Sequence, residues 1–409
     1  MEKIDYLIIG GGIAGTTAAE TIRSQDSASS IVILTEESNR LYSRVLLPHY
    51  LRNENTLESL FLRTEGSYQE KNIQLITGER AIKIDTATKQ VTTDKSSIFK
   101  YQKLLLATGG KVNRLVVPGS DLNEVVYLRT FEDAKKIREL ISKSRQAAVL
   151  GGGFIGIDLV QSFVKNGLAT TAIIREKAFW ESVVGENSGK LLSQILENHG
   201  VKILTETVAE EFVGQERLEG IRLTGGTTVK ADIAGVGIGI HLDIDYLKDS
   251  GLTVKKGVVT NEYLETTVPG VWAAGDLAEF YDPIVKKYHS LGNWTNSSSQ
   301  GRIAALNMIG GKNIFTTAGM YSINIFDINF SFLGDPLRDE NTESIERGSF
   351  AENKLARLLL KADTITGASL INLPADRNTL NSLIKSQTKI TVSKEKLKDL
   401  SFDLHSLLA

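Results

Sequence analysis

The chain has 409 residues, 41% apolar and 23% charged, with a formal net charge of −2. That length exceeds one core and points to two or three domains, and the near-neutral charge gives no general reason to expect nucleic acid or an anionic membrane as partner. Cysteine is absent and the five histidines (His49, His199, His241, His289, His405) lie far apart, which excludes disulfides, thiolate nucleophiles and cysteine-ligated metal centres and leaves no metal expected.

The chain starts close to an apolar run, Tyr6-Leu7-Ile8-Ile9, that breaks into glycines instead of lengthening into a secretory signal. No segment approaches the roughly 18 apolar residues of a spanning helix; a cytoplasmic protein with no membrane partner is expected. After Gly10-Gly11-Gly12-Ile13-Ala14-Gly15, residues Thr16 to Arg23 suit a helix, Ser24 to Ser30 a polar loop, and Ile31 to Leu34 a buried strand. A further strand, Leu104-Leu105-Leu106, ends in Ala107-Thr108-Gly109-Gly110, and Glu132 to Ser142 reads as a charged helix. The opening pattern then returns. Gln146 to Leu150 runs into Gly151-Gly152-Gly153-Phe154-Ile155-Gly156, a helix reaches Asn166-Gly167, and a strand covers Thr171 to Ile174. Both copies are βαβ units, which imply parallel sheets with right-handed crossovers. Ser188 to Asn198 is amphipathic, with Gly200 where a helix would stop. From about Tyr321 the texture changes to apolar strands, first around Ile323, Ile325, Phe330 and Phe332, then Leu355 to Leu360 and Ile365 to Leu370. This stretch has no phosphate-type glycine cluster and is expected to form a third, α+β domain.

Gly10, Gly12 and Gly15 fit G-x-G-x-x-G at a strand-to-helix turn. The first glycine permits the tight turn, the second lets backbone N–H groups approach a pyrophosphate, and the third permits close helix–strand packing. Alone the pattern is weak, but Glu36-Glu37 follows the next strand, where a carboxylate would accept from an adenosine ribose. The second fingerprint, Gly151, Gly153 and Gly156, lacks that acid: Ile174 is followed by Arg175, Glu176 and Lys177. A carboxylate would repel the 2′-phosphate of NADPH, whereas Arg175 and Lys177 would attract it. The plainer reading is a solvated charged loop, and the third glycine leans mildly towards NADH; NADPH is the expected nicotinamide cofactor, with NADH the alternative.

Further segments carry a family resemblance: Leu41-Tyr42-Ser43-Arg44-Val45-Leu46-Leu47-Pro48-His49-Tyr50, Ala107-Thr108-Gly109, Thr267 to Asp276, Gly292-Asn293-Trp294 and Gln300-Gly301-Arg302. With the two glycine motifs, the chain resembles the FAD-dependent pyridine nucleotide-disulfide oxidoreductase superfamily, nearest its rubredoxin reductase, ferredoxin reductase and nitrite reductase NAD(P)H-binding subunit branch. The resemblance implies an α/β fold with two Rossmann-like domains. Residues 1–121 and 244–321 would form a discontinuous FAD domain, 122–243 the NAD(P)H domain, and 322–409 a C-terminal α+β domain that in the family often supports a dimer. It also implies roles. Glu36 or Glu37 would hold the adenosine ribose, Arg44 the flavin nucleotide, Thr108-Gly109 a turn near it, Gly275 and Asp276 the ribityl or pyrophosphate region, and Trp294 the isoalloxazine. Ile13, Ala14, Arg80, Ala81 and Ala107 are expected as further contacts of the first cofactor, and Phe154, Ile155 and Gly237 of the second.

In such enzymes hydride passes from nicotinamide to flavin, so an acid–base residue is not required. Relatives that use a redox cysteine carry it where this chain reads Val45-Leu46-Leu47-Pro48, so disulfide reductase and peroxidase activities are excluded. Ferredoxin reductase relatives pair a lysine with a glutamate beside the flavin; the matching positions here are His49 and Asp158, expected to touch and to gate the nicotinamide. The plainer readings are a satisfied imidazole and an acid favoured by a helix N-terminus. The leading expectation is an FAD-dependent NAD(P)H oxidoreductase that passes electrons to a small redox protein such as rubredoxin or ferredoxin. Reduction of a small molecule such as a quinone, or a flavin-bearing sensor with a decayed nicotinamide site, are the alternatives. With no siroheme or iron–sulfur domain, the chain is not expected to reduce nitrite by itself.

Overall fold

Leu7, Ile8 and Ile9 are buried on successive faces of their strand, the signature of a parallel strand covered on both sides. A computed structural model of the chain describes residues 3–284, 286–335 and 340–408, Ser182 by its backbone only. By contact it divides into two compact units, residues 1–43, 57–111 and 241–317 in the first and 44–56, 112–240 and 318–409 in the second.

In the first unit, strand Ile4–Ile9 lies between Ile31–Leu34 and Ile98–Leu106, all parallel, with Ile73–Ile76 beyond the former and Val271–Ala273 beyond the latter. The strand Ile98–Leu106 is long enough to serve twice, and its first residues also pair antiparallel with Gln90–Thr93. Helix Ile13–Gln25 buries Ala14, Ala18, Ala19 and Ile22 and packs on helix Trp294–Met308. That second helix is rich in serine and asparagine, and its contact face is made of small residues: Gly301, Ala304 and Ala305 are buried. Gly301 is required there, because a Cβ would lie 2.1 Å from the Ala14 carbonyl oxygen.

The second unit repeats the plan with a parallel sheet in the order Lys202–Leu204, Ala169–Ile173, Gln146–Leu150, Ile233–Val236, Val125–Val126. Helix Phe131–Ile141 opens on Thr130, whose side chain accepts from the Asp133 N–H while Asp133 answers to the Thr130 N–H, a capping box. Helix Phe154–Lys165 starts within the glycine motif instead of after Gly156, and helix Glu186–Asn198 starts two residues before Ser188. A small antiparallel sheet (Ala209–Val213, Gly220–Leu223, Thr228–Lys230) has no counterpart among the sequence-based expectations. Five later strands form an antiparallel sheet in the order Met320–Ile325, Ile328–Gly334, Thr364–Ile371, Lys354–Lys361, Glu343–Ser349. Helix Pro374–Ser386 buries Leu380, Leu383 and Ile384 on it.

Candidate functional site

Each glycine turn stands at the carboxyl end of its own parallel sheet, where open α/β folds place ligands. In the first, Gly10 has a φ of +115° and a Cβ there would meet the Ala107 carbonyl oxygen at 2.2 Å, so only glycine lets the turn reach the neighbouring strand end. A Cβ on Gly15 would meet the Gly10 oxygen at 2.0 Å, whereas Gly12 faces open space with nothing within 4 Å. Gly12 caps helix Ile13–Gln25 without a side-chain hydrogen bond, leaving the first-turn N–H groups available to an anion.

The second turn repeats this geometry. Gly151 has a φ of +103° and a Cβ 2.4 Å from the Gly237 oxygen, and Gly156 would clash with the Gly151 oxygen at 2.0 Å. The cap Gly153, at φ −75° and ψ −178°, matches Gly12 at φ −72° and ψ −171°. Gly237 thus follows strand Ile233–Val236 as Ala107 follows Ile98–Leu106. Ile155 is 39% exposed.

Two expected contacts stand beside the first turn: a Cβ on Gly10 would lie 3.1 Å from the Thr108 nitrogen, and one on Gly275 would lie 3.5 Å from the Ala14 Cβ. The Thr108 hydroxyl lies 3.2 Å from that of Tyr246, whose phenol burial pushes up to about 12. The Gly275 N–H donates to Gln300 Oε1 at 2.7 Å, and a Cβ on Gly292 would lie 2.9 Å from Asp276 Oδ1. Trp294 is the first residue of its helix, capped by Asn293. Asn293 Nδ2, Asn296 Oδ1 and Gln300 Nε2 are buried without a protein partner. These orphaned atoms and the open face at Gly12 fit a large polar cofactor with a pyrophosphate, so the residues present suit FAD.

At the far end of that cradle the Glu37 carboxylate accepts from the Tyr42 hydroxyl at 2.5 Å. Glu36 is exposed and lies 3.6 Å from the Lys111 ammonium. Asp243 receives both Lys111 and Arg80 at 2.8 Å, and the lysine holds its carboxyl below the ordinary range. Ala81 is buried at the start of its strand. Lys111 and Asp243 were not foreseen; they are 132 positions apart in the chain, and no local pattern joins them.

The expected contact between His49 and Asp158 is replaced by a longer chain of charges in the second unit. His49 Nδ1 lies 2.6 Å from Glu54, which also binds Arg52 at 3.2 Å and Lys165 at 2.7 Å. Asp158 pairs with Arg52 at 3.0 Å. Burial raises the Asp158 carboxyl despite the guanidinium beside it. The physical reason is competition: a five-donor guanidinium that is 6% exposed satisfies a largely buried carboxylate, itself 17% exposed, better than an imidazole that is 41% exposed. Arg44 belongs to the same unit and donates to the Arg129 carbonyl at 2.6 Å. Arg175 is 81% exposed and pairs with Glu176 at 3.0 Å, and Lys177 is exposed beside them.

Among the described residues no helix is long and apolar enough to cross a membrane, and no group of three or more acidic or histidine side chains is placed to hold a metal. Residues 4–301 match the pyridine nucleotide-disulphide oxidoreductase family. The chain is 29% identical over 403 residues to nitrite reductase [NAD(P)H] of Bacillus subtilis, covering 96% of this chain and 48% of that protein; it spans about half the relative's length. It is 27% identical to putidaredoxin reductase of Pseudomonas putida, covering 99% and 97% of the two chains. A solved covalent putidaredoxin reductase–putidaredoxin complex superposes with a TM-score of 0.93 at 27% identity, covering 100% and 99%.

Proposed function

The chain belongs to the pyridine nucleotide-disulphide oxidoreductase family, and from that premise we propose that it is an FAD-dependent NAD(P)H oxidoreductase delivering electrons to a small ferredoxin- or rubredoxin-like protein. The observation that carries the reading is the pair of glycine cradles with matching cap geometry, each at the carboxyl end of a parallel sheet. The FAD domain of the sequence-based division, residues 1–121 and 244–321, whose larger part lies in the first unit, would hold FAD. Gly12, Ile13 and Ala14 would offer N–H groups to its pyrophosphate, and Asp276 a carboxylate to the ribityl region. Glu37 already takes the Tyr42 hydroxyl, which leaves Glu36 to accept from the adenosine ribose.

Residues 122–243 would bind the nicotinamide dinucleotide through Gly153, Phe154 and Ile155. Arg175 and Lys177, with no acid at the end of the preceding strand, favour the 2′-phosphate of NADPH. Bound FAD supplies the acceptor for a nicotinamide hydride. The chain's own residues bind and orient the dinucleotides, and the Arg52–Asp158 pair sets a guanidinium against a carboxylate inside the second unit. The identity with putidaredoxin reductase along nearly the whole of both chains supports a protein acceptor. The absence of cysteine argues against a disulfide or thiol relay.

The test is anaerobic rapid mixing of the FAD-loaded chain with NADPH and, separately, NADH. Loss of the oxidised flavin's visible absorbance within the mixing experiment is expected, faster with NADPH. Reoxidation by added ferredoxin or rubredoxin should follow. A flavin that neither dinucleotide reduces would replace the enzyme with a flavin-bearing binding protein.

A further inference from the structure

The two glycine cradles share their turn geometry but not the means by which their helices are held. In the first, helix Ile13–Gln25 is fixed by backbone contact, with Gly301 of helix Trp294–Met308 against the Ala14 carbonyl. In the second, the main helix contact of Phe154–Lys165 is the short helix Leu47–Leu51, and its main contact outside its own sheet is with strand Met320–Ile325. The first residue of helix Phe154–Lys165 carries a phenyl ring, and that ring is enclosed by aromatics from two other parts of the unit. Phe154 lies 4.8 Å from Trp180, 5.0 Å from Tyr321 and 5.4 Å from Phe332, centroid to centroid, the last two edge-on. Tyr321 and Phe332 stack on each other at 4.9 Å, and Trp180 meets Phe332 at 5.5 Å.

Tyr321 and Phe332 face each other on the hairpin Met320–Ile325 and Ile328–Gly334, where they are cross-strand partners. The tip of that hairpin is tied down separately. The Phe326 N–H donates to Gln161 Oε1 at 2.8 Å, and the Phe326 ring stacks on His199 at 3.7 Å. The hairpin therefore meets the glycine-turn helix at its first residue, Phe154, and again two turns on at Gln161. Trp180 is held at φ 54° and ψ 17°, a left-handed conformation that a bulky residue keeps only where packing imposes it. Its indole N–H is buried with no acceptor, so the position is occupied for its ring and not for a hydrogen bond.

An N-terminal turn capped by glycine has no side chain to set its direction. Here the Phe154 ring does that work, and its direction sets where the Gly153, Phe154 and Ile155 N–H groups point. We propose that Tyr321, Phe332 and Trp180 are positioning residues for the nicotinamide dinucleotide: the C-terminal hairpin, by clamping Phe154, aims the N–H groups that bind its pyrophosphate. The inference rests on the proposed function and adds that the C-terminal sheet determines dinucleotide affinity.

The experiment uses the full FAD-loaded chain and measures binding of oxidised NADP+ and NAD+ by calorimetry, a readout independent of turnover. Tyr321→Ala should weaken binding about tenfold, the loss of roughly one to two well-packed aromatic contacts, with flavin content unchanged. Tyr321→Phe should restore wild-type affinity, since the ring is what clamps. Trp180→Phe should do the same, and Trp180→Ala should behave as Tyr321→Ala. If Tyr321→Ala does not fold, as judged by its flavin spectrum, Tyr321→Leu keeps the bulk without the ring edge and is expected to weaken binding several-fold. A merely structural role would lower the thermal midpoint of these variants and leave their dissociation constants at the wild-type value; that result overturns the inference alone. A wild-type chain that binds neither nucleotide overturns the proposed function and this inference with it.

Discussion

Glu54 receives three basic side chains, His49 at 2.6 Å, Lys165 at 2.7 Å and Arg52 at 3.2 Å. Burial alone would raise its carboxyl, but the Lys165 ammonium and the Arg52 guanidinium outweigh it and hold the group at about 2, against an ordinary 4.5. A depressed folded-state pKa means the ionised group contributes stability above its unfolded value, and that contribution is lost as pH falls from about 4.5 towards 2. Asp158 acts in the opposite sense. Burial raises its carboxyl in the folded chain, so its share is full below the ordinary aspartate value and declines as pH rises through the shifted one. Glu54→Gln should therefore flatten the acid limb of the stability curve, which thermal midpoints by circular dichroism at successive pH values would show. Curves for variant and parent that fall in parallel below pH 4.5 would mean that Lys165 and Arg52 do not act through this carboxylate.

At the level of elements, the two helix-opening glycines of the first cradle make opposite predictions. A Cβ on Gly15 would sit 2.0 Å from a backbone oxygen, so Gly15→Ala should destabilise the FAD-free chain by ~1–3 kcal/mol through overpacking. Gly12 has no neighbour within 4 Å, so Gly12→Ala should leave the FAD-free unfolding curve unchanged and instead weaken flavin retention on gel filtration. Equal effects of both on the FAD-free chain would remove the distinction between a packing glycine and a binding one. These turns were legible in the sequence because their cause is local: a strand, a glycine at positive φ and a helix start lie within ten residues. Helix Trp294–Met308 was not legible as a helix, since Thr295 to Ser299 is a polar run and its buried side is built from Gly301, Ala304 and Ala305. Its stability comes from contact with another helix, which no local window contains. The substitution of Arg52 for His49 as the Asp158 partner has the same origin: both precede Asp158 by more than a hundred residues, and only the fold decides which one reaches it.

For the molecule as a whole, each unit has its own buried core, one around Leu7, Leu104 and Ala273, the other including Ala148, Ile221 and Val236. A ligand that binds only the folded form raises stability by RT ln(1 + [L]/Kd), about 2.7 kcal/mol at a hundredfold excess over Kd. If FAD belongs to the first unit and the nicotinamide dinucleotide to the second, each should move a different unfolding transition. Tryptophan placement makes this measurable, since Trp272 and Trp294 lie in the first unit and Trp180 in the second. In Trp180→Phe, emission follows the first unit alone, and its midpoint should rise with added FAD but not with NADP+. In the parent chain, a component that rises with NADP+ and is missing from Trp180→Phe should appear. A single transition that either ligand shifts equally would show that the units unfold together. Cofactor assignment would then have to come from Gly12→Ala and Gly153→Ala, each expected to weaken only the dinucleotide at its own cradle, because both positions cap their helices without help from a side chain.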